Sequence, residues 1–265
     1  MSETKGSGSA AFSSTDIKQE QKYNFSLLSD KGIQRCLNNK TIIIQPFVQE
    51  NLSTSSYDVT LGEYYFREQR PELSYDPLYN PYSKTDVEAV WGKPQRAQTI
   101  AQLNTCILKE RSGSWIDPSV AKPDERIILI NPGETILAHT QEFIGGRTSV
   151  TTMMKARSSL GRNFIEVCKC AGWGDIGYVN RWTMEITNNS RFYKIPLIVG
   201  RRIAQIVFFE TEGTLNNQSY EHNGKYQTRA NIDDLMKLWT PDSCLPRMYL
   251  DREAQKEKTK KTTDP

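Results

Sequence analysis

The sequence predicts a mainly β fold of barrel or sandwich type, on three observations. After Ala121 the chain runs as short apolar stretches, "ERIILINPGETILAHTQEF", "TSVTTMMKARSS", "RWTMEITNN" and "YKIPLIVGRRIAQIVFFET". Turn formers such as Pro132-Gly133 and Asn188-Asn189 break them at intervals that suit strands of an all-β sheet. Helical periodicity is nearly absent from the same region.

In chain order, residues 1–25 carry neither an apolar targeting core nor an arginine-rich amphipathic pattern and read as a disordered arm. The first folding segment is "LLSDKGIQRCLNNKTIIIQPF". There Ser29 or Asp30 can cap a short helix whose apolar stripe is Leu28, Ile33, Cys36 and Leu37. Thr41 to Ile44 follows as a strand stopped by Pro46, and "SSYDVTLGEYYFRE" alternates as a second strand in which Gly62 marks a bulge or a close backbone approach. From Gln69 to about Ala121 the prolines, tyrosines and polar residues show no sustained period, so residues 69–121 read as a long, partly structured insertion. A last short helix is predicted over Asn231 to Leu238, with Asp233 and Asp234 near its positive end. The predicted domain is 26–250, and residues 251–265 form a basic, disordered tail.

Composition bounds the function. With 265 residues, 37% hydrophobic and 25% charged, the chain has room for one main core. A net charge of +3 is too small a surplus to argue for wrapping nucleic acid, so no nucleic-acid partner is expected. Five cysteines without a regular spacing predict a reduced, intracellular, cytoplasmic protein. No apolar stretch approaches the roughly 20 residues of a membrane span.

The chemistry concentrates in "KARSSLGRNFIEVCKCAGWGDIGYVNRWTMEITNN", Lys155 to Asn189. Arg157, Ser158 and Ser159 offer a guanidinium, two hydroxyls and backbone N–H groups, Gly161 relieves crowding, and Arg162 adds a second fork, which together suit a phosphate. The same residues also suit surface ion pairs and a capped turn. Asp175 follows "AGWG" in a turn. Strict alternation puts Trp182, Met184 and Ile186 on one strand face and Arg181, Thr183 and Glu185 on the other. A carboxylate inside an apolar strand is expensive to bury unless paired, and Arg162 or Arg157 is the expected partner that keeps Glu185 ionised. A fixed carboxylate of this kind can orient and deprotonate water. Zinc deamination through an H-x-E and P-C-x-x-C pattern, a Ser-His-Asp triad and a G-x-x-x-x-G-K-[ST] loop all lack their residues, and "CKC" at Cys168 to Cys170 reads as a buried strand edge.

Five blocks in order carry a resemblance: "SSYDVTLG" (Ser55 to Gly62), "INPGETILAHTQE" (Ile130 to Glu142), "RSSLGR" (Arg157 to Arg162), "AGWGDIGYVNRWTMEI" (Ala171 to Ile186) and "GRRIAQIVF" (Gly200 to Phe208). With "LLSDKGI" and "IIIQPF" near the start and "GKYQ" (Gly224 to Gln227) near the end, the chain resembles the dCTP deaminases of the dUTPase superfamily over roughly 150 residues. The resemblance implies a dUTPase-like β-barrel of jelly-roll type, a homotrimer with sites between subunits, and Mg2+ bound through the nucleotide triphosphate without zinc. It implies hydrolytic deamination of dCTP to dUTP and ammonia. Glu185 falls at the catalytic base, with Arg162 and Ser158 supporting it. The nucleotide contacts implied are Arg157, Ser158, Ser159, Leu160, Gly161, Arg162, Asp175 on the sugar hydroxyl, Thr183 and Met184 on the strand facing the base, Glu185, Gln205, Tyr220 and Lys225.

Departures from the family pattern are specific. "DIGYVN" stands where "DPGFEG" is usual, so Ile176 replaces a proline, and Arg229 stands near the place of a glutamine expected after "KYQ". Two other readings stay open at this point: dUTP diphosphatase or a bifunctional enzyme giving dUMP, and a catalytically silent nucleotide-binding regulatory module.

Overall fold

A computed structural model describes residues 26–71, 77–107, 121–215, 218–227 and 231–254. The predicted arm 1–25 and the tail from 255 onward lie outside the described residues, as do parts of the 69–121 insertion. Helix α1 (Asp30–Asn38) leads into β1 (Ile42–Gln45), β2 (Leu52–Ser53) and the long β3 (Ser56–Arg67). The insertion contributes α2 (Lys84–Trp91), β4 (Gln95–Arg96), β5 (Gln98–Thr99) and α3 (Ile100–Ile107). Then come β6 (Arg126–Ile130), β7 (Thr135–Gly146), β8 (Val150–Ala156), the single turn α4 (Ser158–Gly161), β9 (Ile165–Val167) and β10 (Trp173–Gly174). The last elements are β11 (Val179–Asn188), β12 (Ile195–Ile198), β13 (Arg202–Glu210), α5 (Tyr220–Asn223) and α6 (Ile232–Leu238).

The fold is mainly β, as the sequence predicts. Its antiparallel main sheet curls as a half-barrel in the order β10-β8-β13-β3-β7-β11-β9, with β1 also on β7 and with β2 and β4 on β3. A three-stranded sheet, β12-β6-β5, lies beside it. Strand β7 is the hub, pairing with β1, β3 and β11, and most of its residues are buried. Flanked on both sides, it buries polar as well as apolar residues, and His139, Thr140 and Glu142 are each hydrogen-bonded there. Helix α1 closes one end, with Ile33 and Cys36 buried in the same core as Ile144, Met184 and Phe208. No helix among the described residues is long and apolar enough to cross a membrane.

In its described parts the insertion forms two short helices and two short strands. Ser83 caps α2, its Oγ accepting the Asp86 N–H at 3.3 Å and donating to Asp86 Oδ1 at 2.7 Å. The helix buries Val87 in a second cluster with Phe66, Leu137, Cys244 and Leu245. A helix of eight residues with one buried position offers no period to read, and packing against a segment more than 150 residues away holds it. Helix α6 starts where predicted, with Asn231 Oδ1 accepting the N–H groups of Asp233 (2.8 Å) and Asp234 (3.3 Å).

Gly62 marks both features its sequence suggested. The β3–β7 register shifts between Leu61 and Tyr65, and the His139 ring fills the space a side chain would take. A Cβ at Gly62 would stand 2.0 Å from His139 Cε1. His139 cannot readily retreat, because Nδ1 donates to Thr140 O (2.8 Å), Nε2 accepts the Tyr64 N–H (3.3 Å), and the Trp239 ring packs against it at a tilt, 4.7 Å between centres. Burial holds this imidazole neutral, its pKa lowered to about 4. Gly62→Ala should therefore destabilise the fold by about 1–3 kcal/mol, seen as a lower urea midpoint. An unchanged midpoint would contradict this account of the β3–β7 contact.

Candidate active site

The site is built on β11, whose alternation holds as predicted. Trp182, Met184 and Ile186 are buried, while Arg181, Thr183 and Glu185 are half-buried on the opposite face. Trp182 anchors the inner face, its Nε1 donating to Ile144 O at 2.8 Å and its backbone N–H to Thr140 Oγ1 at 2.9 Å. Met184, one of the expected nucleotide contacts, sends its side chain into the core, away from the face that carries Glu185.

A break in the flanking strand opens space beside Glu185. Strand β9 pairs with β11 only from Ile186 to Asn188; beyond it Cys168 and Lys169 take left-handed φ values of 62° and 40° and the chain turns off the sheet. The last tie is the Cys168 N–H donating to Glu185 O at 3.0 Å. On the other side Leu137 stands directly across from Glu185 in the β7 register, so both side chains share a face. The result is a cavity of about 430 Å³, lined by five of the expected site residues: Asp175, Thr183, Glu185, Tyr220 and Lys225.

Each of these is held by its own local structure. Asp175 opens a turn closed by the Tyr178 N–H donating to Asp175 O at 2.9 Å, with Gly177 at φ +92°, so the turn forms with Ile176 at the family's proline position. Tyr220 begins α5, its ring edge-on to Tyr178 at 5.2 Å and its hydroxyl accepting the Tyr226 N–H at 3.3 Å. Its phenol is raised by burial. Burial opposes the charge of Lys225, but its ion pair with Asp251 outweighs this and raises the ammonium pKa.

Glu185 differs from the expectation in one respect. Burial raises its carboxyl above the usual range, its own backbone N–H and Lys169 oppose the rise, and within one chain it has no ion pair among the described residues. The predicted arginine partner is elsewhere. Arg157 Nε lies 3.6 Å from the buried carboxylate of Asp58, which also takes Arg202 Nη1 at 3.0 Å, and Arg162 is exposed. The reason is topological: "RSSLGR" sits at the end of β8, several strands along the sheet from β11.

The expected residues therefore fall into two groups. Arg157 immediately precedes α4, which carries Ser158, Ser159, Leu160 and Gly161, with Arg162 after it; a Cβ on Gly161 would meet nothing within 4 Å. Gln205 belongs with this group, since it stands opposite both Asp58 and Lys155 across β13. None of these lines the Glu185 cavity. Sequence reasoning missed Cys244 and Pro246 in the cavity wall and the Asp58–Arg202 pair beside Arg157. Asp58 and Arg202 lie inside quoted motifs and could have been found there. "PDSCLPR" carries no pattern that points to a site. Burial pushes the Cys244 thiol up to about 12, so it faces the cavity protonated. Among the described residues no group of three or more His, Cys, Asp or Glu could hold a metal ion.

Because Glu185 titrates higher in the folded chain than the ordinary 4.5, the folded state binds more protons between those two values. Stability then falls as pH rises through that window and is unaffected below it. Glu185→Gln should melt at a higher temperature than the parent at neutral pH, with the difference vanishing below about pH 4.5. A difference independent of pH would show that Glu185 is not a desolvated carboxylate.

Comparison with known proteins identifies the family. A family model described as dCTP deaminase-like matches residues 90–211, which include β11 and "RSSLGR". A protein named dCTP deaminase, dUMP-forming, from Hydrogenobaculum sp. is 31% identical over 184 residues, 69% of this chain and 81% of that protein. Another of that name from Methanosphaera stadtmanae is 27% identical over 201 residues, 76% of this chain and 86% of its own length. Among solved structures, the 2'-deoxycytidine 5'-triphosphate deaminase from Agrobacterium tumefaciens aligns at 15% identity with a TM-score of 0.47, covering 73% of this chain and 51% of that one. On the match to the Hydrogenobaculum protein, which covers most of both chains, this chain belongs to the dCTP deaminase family.

Proposed function

We propose that the protein deaminates dCTP by hydrolysis, with Glu185 as general base. The observation that carries this reading is a half-buried carboxylate with a raised pKa in a cavity of about 430 Å³, within the roughly 300–1,000 Å³ usual for small-molecule sites. Glu185 takes a proton from water as the oxygen bonds to C4 of cytosine. Proton return to the amino group lets the tetrahedral carbon expel ammonia, breaking the C4–N bond and leaving uracil. A carboxyl raised by burial is suited to both halves of that exchange. Thr183 faces the base from the same strand face, Asp175 takes the sugar hydroxyl, and Tyr220 and Lys225 approach the phosphates.

The triphosphate needs more cations than this cavity holds. Arg157, Arg162 and the free space over Gly161 are suited to phosphate but stand apart from Glu185 in one chain. A homotrimer in which each site takes its Glu185 strand from one subunit and "RSSLGR" from the next would join the two halves. Mg2+ would arrive on the triphosphate, whose oxygens are the hard ligands it prefers, with few protein carboxylates required. The product reading changes from the sequence-based one: the similar proteins are named dUMP-forming, which favours a second hydrolysis, releasing pyrophosphate, over release of dUTP.

Purified protein with dCTP and Mg2+ should release ammonia together with dUMP and pyrophosphate, and Glu185→Gln should lose at least about 100-fold in kcat. Free dUTP as the end product would restore the simpler deaminase. Tight dCTP binding without ammonia would instead indicate a silent regulatory module. Activity should rise with pH along an acid limb lying above the ordinary carboxyl value of 4.5, since the base must be ionised. Mixing Glu185→Gln with Arg162→Ala subunits, each inactive alone, should restore about a quarter of parental activity, the fraction of interfaces in randomly mixed closed rings that combine both intact halves. No recovery after subunit exchange would place both halves in one chain's site.

A further inference from the structure

Residues beyond the family match at 90–211 take part in this cavity. From Cys244 to Arg247 side chains alternate across the segment. Cys244 and Pro246 line the Glu185 cavity, whereas Leu245 and Arg247 line a separate cleft of about 440 Å³ against α2. Arg247 then reaches round to the arm that carries Tyr220 and Lys225. Its Nη1 donates to Lys225 O at 2.8 Å, its backbone N–H donates to the Tyr226 hydroxyl at 3.3 Å, and its guanidinium lies 5.8 Å from the Tyr226 ring centre. On its other side the arm is tied to β11: Asn180 Nδ2 donates to Tyr226 O at 3.0 Å, and the Val179 N–H donates to Gln227 Oε1 at 2.7 Å. One turn past Arg247, Asp251 ion-pairs with Lys225 Nζ.

These contacts differ in kind. The Arg247 bonds use the arm's backbone and the Tyr226 hydroxyl, so they leave the Lys225 ammonium free to engage substrate. The Asp251 bond occupies that ammonium. Both side chains remain about a third exposed, at 33% and 28%, so the pair is weakly held and its carboxylate can exchange for another anion without a large desolvation penalty. We propose that the Pro241–Asp251 segment is a clamp on the nucleotide-binding arm, in which Arg247 is a positioning residue for Lys225 and Tyr226, and Asp251 is a place-holding carboxylate that a substrate phosphate displaces. This inference rests on the assignment of Lys225 to the nucleotide made above.

The test uses the full chain with dCTP and Mg2+. Arg247→Ala should raise KM about ten-fold with kcat within about three-fold, and Arg247→Lys should recover only part of the loss because an ammonium can donate to Lys225 O but lacks the planar group that lies over the Tyr226 ring. Asp251→Asn should lower KM about three-fold, since phosphate no longer competes with a carboxylate. Hydrogen exchange at Lys225, Tyr226 and Gln227 should quicken in Arg247→Ala at a temperature where the parent and variant are both folded. That readout does not need turnover, so a protein releasing no ammonia defeats the proposed function while the clamp is still tested. Unchanged exchange and KM in Arg247→Ala would overturn the anchor, as would a melting-temperature loss that abolishes kcat with KM intact. A higher KM in Asp251→Asn would make Asp251 a fixed tie and overturn the exchange.

Discussion

Strand alternation in β11 is the constraint on which the rest depends. Trp182, Met184 and Ile186 must be inside for the sheet to close over its core, and that requirement alone turns Thr183 and Glu185 outward into the cavity. A slip of one residue would exchange the sets, leaving an ionised carboxylate against Ile144 and Phe208 and turning Met184 and Ile186 out of the core. The apolar residues thus set the register, and the register sets the chemistry. Pairing with β7 adds the second coordinate by placing Leu137 opposite Glu185 and so making one cavity wall apolar.

That wall explains the electrostatics. A carboxylate beside Leu137, Trp182 and Tyr178 has little water around it, and within one chain Lys169 is the cation that helps it. A basic partner closer by would lower the pKa and weaken the base, whereas complete burial would leave it protonated at neutral pH. The position between these extremes depends on the left-handed turn at Cys168 and Lys169, which takes β9 away before it can cover the outer face. The cationic groups are then held in reserve on α4 and the end of β8, and Asp58 keeps Arg157 and Arg202 ordered there by two ion pairs.

Much of this was legible in the sequence because it follows from short periods. Alternation predicted which face of β11 is polar, and the isolated Gly62 predicted a close approach. The spatial separation of Glu185 from Arg157 and Arg162 was not legible. Residues 23 to 28 apart in sequence look adjacent when written, but β8 and β11 are separated by three strands of the sheet. The insertion resisted reading for a related reason. Helix α2 gains its stability from Cys244 and Leu245, a contact with no local trace in "KTDVEAVW".

A part of the insertion and the C-terminal segment complete each other. Val87 from the insertion and Cys244 and Leu245 from the C-terminal segment meet on Phe66 and Leu137, forming a small core separate from the one inside the sheet. Each contributes only one or two buried apolar side chains to that core, so its burial depends on the other and on β3 and β7. Leu137 belongs both to that core and to the cavity, and Cys244 lies against Thr183. Packing of α2 therefore bears on the strand that carries Glu185 through one leucine and one thiol. The C-terminal segment thus supplies part of the cavity wall through Cys244 and Pro246, and α2 packs behind it.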